Sequence, residues 1–125
     1  MSDTTTIAIP TNGEGGLDAT RSAHFGHADS FTLVTVSDGA IQGATPIVNP
    51  PHAHGGCGMT VTMLAEAGAT SAIVVGMGGG PRQAMAANRM EALFDDTSPT
   101  PRAAVEAWLA GSRTPFGGAH TCQGH

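Results

Sequence analysis

Ser71-Ala-Ile-Val-Val75-Gly76-Met-Gly-Gly-Gly80-Pro81-Arg82 decides the fold class. A short apolar run rich in β-branched residues reads as a buried strand. The glycines that follow read as a turn. Pro81 then opens a helix predicted to run to about Met90, because proline at the first helical turn gives up only an N–H that would have been unpaired anyway. Upstream, Thr60-Val-Thr-Met-Leu-Ala-Glu-Ala67 reads as a helix stopped by Gly68. Helix, strand, glycine turn and helix in this order are the mark of an α/β domain.

The flanks agree. Residues 6–10 form a short first strand ended by Pro10, and residues 11–22 a loop. Residues 30–37 are β-branched and aromatic and form a second strand. Asp38-Gly39 is a hairpin turn signal. Residues 40–48 return antiparallel, with Pro46 suited to an edge. Glu91–Phe94 reads as a last short strand. Thr100 and Pro101 suit the N-cap and first position of a third helix, which runs to Ala110 with Gly111 behind it. Val105, Trp108 and Leu109 give that helix one apolar stripe. The expected architecture is a three-layer α/β domain over residues 1–111, a mixed sheet with helices on both faces. Residues 112–125 read as a flexible Gly/His/Cys tail.

Composition narrows the function. The chain has 125 residues, a net charge of −5 and no lysine. That opposes nucleic-acid binding, which needs basic side chains to neutralise phosphates. It opposes an anionic membrane surface equally. Two cysteines 65 residues apart do not build a disulfide framework. With no basic-then-apolar leader and no run of transmembrane length, the expected location is the cytoplasm.

The chemistry concentrates in His52-Ala-His54-Gly55-Gly56-Cys57-Gly-Met59. Imidazole and thiolate are the usual protein ligands of zinc, copper and metal–sulfur clusters. Cys57, His54 and His52 are candidate metal ligands. Gly55 and Gly56 let the backbone approach the ligand. Met59 reads as a core residue in the first turn of a helix or as a soft thioether ligand. The stretch lies at a helix N-terminus, where backbone N–H groups favour an anion.

The glycine turn at 76–80 has the same geometry, and it matches neither the Walker A nor the spaced dinucleotide pattern. Met77, Gly78, Gly79 and Arg82 are candidates to line the anion site between the two loops. His24 is a further candidate ligand and Arg21 a candidate anion contact, with His27 outside them. In the tail, His120, Cys122 and His125 read either as ligands or as an unstructured end.

Enzyme readings fit less well. A two-metal nuclease needs converging carboxylates, and the first strand carries none. Cys57 and His54 are too close along a loop for nucleophile–base geometry. A structural zinc site would call for paired cysteines.

Thr6-Ile-Ala-Ile-Pro10, His24-Phe-Gly-His-Ala28 before a strand, Asn49-Pro50 before a His/Gly loop, and Gly76–Pro81 resemble, as an ordered set over residues 6–111, the dinitrogenase iron–molybdenum cofactor biosynthesis family. These are the NifX/NafY-type cluster carriers and their stand-alone relatives. The resemblance implies a ribonuclease-H-like fold and a role in binding or carrying a molybdenum- or iron-containing cluster. The chain is similar to the orange-protein subgroup in being short and having a His-rich loop, which implies a mixed molybdenum–copper sulfide cluster.

The chain departs from the family pattern in carrying Cys57, in its Gly-Met-Gly-Gly-Gly turn, and in lacking a Gly-Ile-x-Val strand before the third helix. The expected function is binding, storage or transfer of an anionic metal–sulfur cluster, without catalysis, with a recipient or assembly protein as partner. The alternatives are a simple copper or zinc carrier, and a regulatory module that binds a small anion or a protein.

Overall fold

The computed structural model describes residues 4–23, 25, 28–48, 57–76, 79–111 and 114–115, with backbone alone at 57–59, 79–82 and 114–115. Its elements are β1 (Thr4–Thr11), β2 (Ser30–Ser37), β3 (Ala40–Val48), α1 (Cys57–Glu66), β4 (Ser71–Val74), α2 (Gly79–Ala87), β5 (Glu91–Phe94), α3 (Pro101–Leu109) and β6 (Thr114–Pro115). They form one six-stranded sheet in the order β3-β2-β1-β4-β5-β6. β1, β4 and β5 are parallel, while β2 runs antiparallel to both β1 and β3. This is the mixed, ribonuclease-H-like arrangement.

Period-two alternation gives each face of the sheet its own core. Ala8, Phe31, Leu33, Ala72 and Val74 face Val61 and Leu64 of α1 and Met85 of α2. Ile7, Ile9, Val34, Val36, Ile73 and Leu93 face Ala104 and Val105 of α3. Trp108 and Leu109 pack at the margin of the second core. Helices therefore cover both faces, two on one side and one on the other. Each fully buried Leu, Val or Ile side chain contributes about 1.5–3 kcal/mol.

Turn chemistry fixes the connections. Asp38 and Gly39 both have positive φ, +56° and +76°, the pairing that matches the twist of a two-residue hairpin. α1 closes in a Schellman motif: Gly68 has φ +100°, its N–H donates to Ala65 O, and Ala69 N–H donates to Leu64 O. At α3, the Thr100 hydroxyl caps Ala103 N–H and Pro101 is the first helical residue.

Several boundaries differ from the sequence expectation. α1 starts at Cys57 instead of Thr60, and α2 at Gly79 instead of Pro81. First-turn N–H groups have no intrahelical partner, so glycine there forfeits less than in a helix interior. α2 ends at Ala87 because Arg89 takes φ +58° and Met90 N–H reaches Met85 O.

β1 also continues through Pro10 to Thr11. Its pairing with β4 covers only Ile7 and Ala8. At Pro10 that side meets Ser22, whose N–H donates to Pro10 O, so the missing proline N–H does not interrupt the ladder with β2. β6 pairs with β5, so Thr114 and Pro115 belong to the sheet rather than to a free tail; residues 116–125 lie outside the described part.

Candidate functional site

The strand directions place the carboxyl ends of β1, β3, β4 and β5 along one edge of the sheet. α1 and α2 each end where the next parallel strand begins, at the opposite edge. α1 has ten residues and so spans about 15 Å, enough to return its N-terminus to the carboxyl edge. Cys57 and Gly79, the first residues of α1 and α2, therefore stand at that edge on the same face, and the two helices pack together. Neither helix has an acidic residue in its first turn, so no carboxylate competes there with an incoming anion.

The third helix N-terminus at this edge is already closed. Arg102 N–H donates to Leu17 O, Ala103 N–H to the Thr100 hydroxyl and Ala104 N–H to Thr100 O, while Pro101 has no N–H. α3 thus has no free first-turn donors to offer. The pair α1 and α2 is where an anion can be met by two helix ends, at the crevice where open α/β sheets bind ligands.

Polar groups fill the α3 side of the same edge. Thr11 Oγ1 lies 2.7 Å from Ser30 Oγ and 3.1 Å from Thr32 Oγ1, all buried. Gly16 N–H donates to Thr32 Oγ1 at 2.9 Å, and Gly13 N–H to Asp29 at 2.8 Å. These bonds seat the 12–22 loop on the sheet edge. Phe25 is buried and its ring lies 5.2 Å from that of Phe31, which anchors the chain on the α1/α2 side.

Arg21 forms a bridge pair with Thr11, so its side chain leaves on the α3 side. Only 3% of that side chain is exposed. Nη1 donates to Ser98 O at 3.0 Å and lies 3.8 Å from the Asp95 carboxylate. Among the described residues Nε and Nη2 have no hydrogen-bond partner. Burial lowers the Arg21 pKa, against the pull of Asp95 and Asp96, but the guanidinium remains charged. Burial alone would raise the Asp95 pKa. Hydrogen bonds from Ser98 and Thr97 outweigh that and hold it below its ordinary value.

Of the residues singled out in the sequence, the structure places the backbones of Cys57, Gly79 and Arg82 in the first turns of the two paired helices. Their side chains, with that of Met59, are outside the described part. Arg21 is buried on the other side of the sheet edge, clasped to Ser98 and Asp95. His24, His27, His52, His54, Gly55, Gly56, Met77, Gly78, His120, Cys122 and His125 lie outside the described residues. Among the described residues no group of three His, Cys, Asp or Glu is placed to hold a metal ion. No helix among them is long and apolar enough to cross a membrane. Sequence reading missed Asp95 and Ser98 as Arg21's partners, since neither lies in a motif.

Among curated proteins none matches the chain. Solved structures do. The apo form of the orange protein from Desulfovibrio gigas is 27% identical with a TM-score of 0.76, over 92% of this chain and 95% of that one. A candidate NifB protein of the DUF35 family from Thermotoga is 21% identical with a TM-score of 0.73, over 90% and 93%. A candidate dinitrogenase from Methanocaldococcus jannaschii is 11% identical with a TM-score of 0.71, over 90% and 95%. At their identities the last two show a shared fold alone. The family model for the dinitrogenase iron–molybdenum cofactor matches residues 5–111, nearly the whole described chain, and the chain belongs to that family.

Proposed function

We propose that this protein binds an anionic metal–sulfur cluster as cargo and stores it, carries it or helps assemble it. Family membership ties the chain to binding or carriage in iron–molybdenum cofactor chemistry. The finer reading is a molybdenum-containing sulfide cluster with copper or iron, held in the cytoplasm and passed to a recipient or assembly protein. The observation that carries it is the pairing of two helix N-termini at one sheet edge, with Cys57 as the first residue of α1. A helix N-terminus lowers a thiol pKa and favours the thiolate, a soft ligand for copper(I) or iron.

In this reading Cys57, His54 and His52 ligate the cluster from one loop, with His24 beside them. Gly55, Gly56, Met77, Gly78 and Gly79 line the crevice, and Arg82 adds charge from the first turn of α2. His120 and Cys122 close over the site or hand metal on. The protein binds and releases; it does not catalyse.

The 27% identity to the orange protein supports this reading over the simple copper or zinc carrier and over the anion- or protein-binding module. The test is anaerobic loading of the full chain with tetrathiomolybdate and copper(I). Cys57→Ala with His54→Ala is expected to reduce bound metal about 10-fold or more, since loss of a ligand's supporting partner alone typically costs that much. Equal metal stoichiometry in the double variant would remove those two residues from the site.

A further inference from the structure

Arg21 is the one charged side chain that the described fold buries almost completely, and the described residues satisfy only part of its bonding. One edge of its guanidinium, the Nε and Nη2 fork, meets no acceptor among the described residues. The protein shows what that fork does when satisfied: Arg102 grips Asp18 with Nε at 3.0 Å and Nη2 at 3.1 Å. A buried charge with two unbonded donors contributes little to stability, and well-packed apolar residues of similar size often do as well or better. Its contacts point to a different use.

Arg21 Nη1 and N–H both reach the β5–α3 connection, at Ser98 O and Pro99 O. That connection is ordered by the Asp95 carboxylate, which accepts from Thr97 and Ser98 backbone and hydroxyl groups. Asp95 N–H in turn donates to Val74 O, the last residue of β4. Beyond Val74 the chain passes through buried Gly76 to α2. On its other side, Arg21 is followed by Ser22, tied to Pro10, and by buried Phe25. One guanidinium therefore joins the β1–β2 connection to the outlet of β4.

We infer that Arg21 is a positioning residue for the cargo crevice: through Ser98 and Asp95 it sets where the chain leaves β4 and hence where α2 presents its N-terminus. This rests on the cluster-carrier reading. It differs from direct anion contact, because the side chain lies on the α3 side of the sheet and the neighbouring Asp95 and Asp96 carboxylates repel an anion there.

The test uses the full chain with Arg21→Met, which keeps length and removes the fork, and Arg21→Lys, which keeps charge and loses the planar donor geometry. The probe is tetrathiomolybdate with copper(I), added without oxygen. Arg21→Met is expected to weaken binding about 10-fold or more and to shift the sulfur-to-metal charge-transfer bands. Arg21→Lys is expected to recover part of the affinity without restoring the bands. A residue with a merely structural role would lower Tm and leave the bands unmoved.

Binding within twofold of the native chain, with unchanged bands in folded Arg21→Met, overturns the inference. If Arg21→Met does not fold, Arg21→Lys carries the same comparison. If the native chain takes up no cluster, the carrier reading fails. The inference is then decided on the apo chain by the amide resonances of Val75 and Gly76, which move on Arg21 substitution if the linkage holds and stay fixed if it does not.

Discussion

Replacing Gly15 by alanine tests how tightly the 12–22 loop is seated on the sheet edge. Gly15 has φ +83°, a left-handed conformation that disfavours an L side chain by about 1–2 kcal/mol. A Cβ there would lie 2.9 Å from Ser30 Oγ, 3.0 Å from Pro46 Cβ and 3.0 Å from Thr32 Oγ1. The two hydroxyls are bonded to Thr11, and the proline ring is rigid, so none can yield freely. Overpacking of this kind adds about 1–3 kcal/mol. The sum, about 2–5 kcal/mol, corresponds to a fall in Tm of roughly 6–25 °C for a domain of this size. Gly13 is the control: its φ is +66°, but a Cβ there meets nothing within 4 Å, so Gly13→Ala should lower Tm by roughly 3–10 °C. Urea denaturation of both variants checks the difference at constant m-value. A Gly15→Ala midpoint no lower than that of Gly13→Ala would refute the close approach of loop and sheet.

Two further outcomes follow from single groups. The Asp95 carboxyl has its pKa held below the ordinary 3.8, so its contribution to stability is complete above about pH 4 and is lost as pH falls below that value; Asp95→Asn should flatten the acid limb of a Tm-against-pH curve, and parallel curves for the two proteins would contradict the network around it. Thr100→Ala removes the side-chain cap of Ala103 N–H and should lower stability by about 1 kcal/mol, read as a drop in Tm of roughly 3–5 °C; an unchanged Tm would show that the cap contributes nothing.

Much of the fold is legible because local signals and global packing agree. Asp38-Gly39 takes positive φ at both residues, and Thr100-Pro101 caps and starts α3. Glu91–Phe94, only four residues long, is the strand between β4 and β6. The helix ends were less legible. Arg89 gives no sign of a left-handed stop; its conformation is set by Met85 and Met90, both buried in the α1/α2 core. The glycines at 79 and 80 read as a turn, although first-turn positions tolerate them.

The site was legible as chemistry and only partly as geometry. The sequence brings Cys57 to a helix end, and strand polarity then brings α1 and α2 to one edge. Arg21 shows where sequence reading stops. Its partners Ser98 and Asp95 stand more than seventy residues away, and nothing in its own neighbourhood distinguishes a solvated anion contact from a buried tie.

The central claim is that the crevice carries a metal–sulfur cluster. The measurement that tests it most directly is elemental analysis with acid-labile sulfide on protein purified without oxygen from its own host. A cluster carrier yields molybdenum together with sulfide, and copper or iron alongside. Zinc or copper without sulfide would contradict the claim, and so would a protein without metal that also fails to take up thiomolybdate with copper or an iron–sulfur precursor.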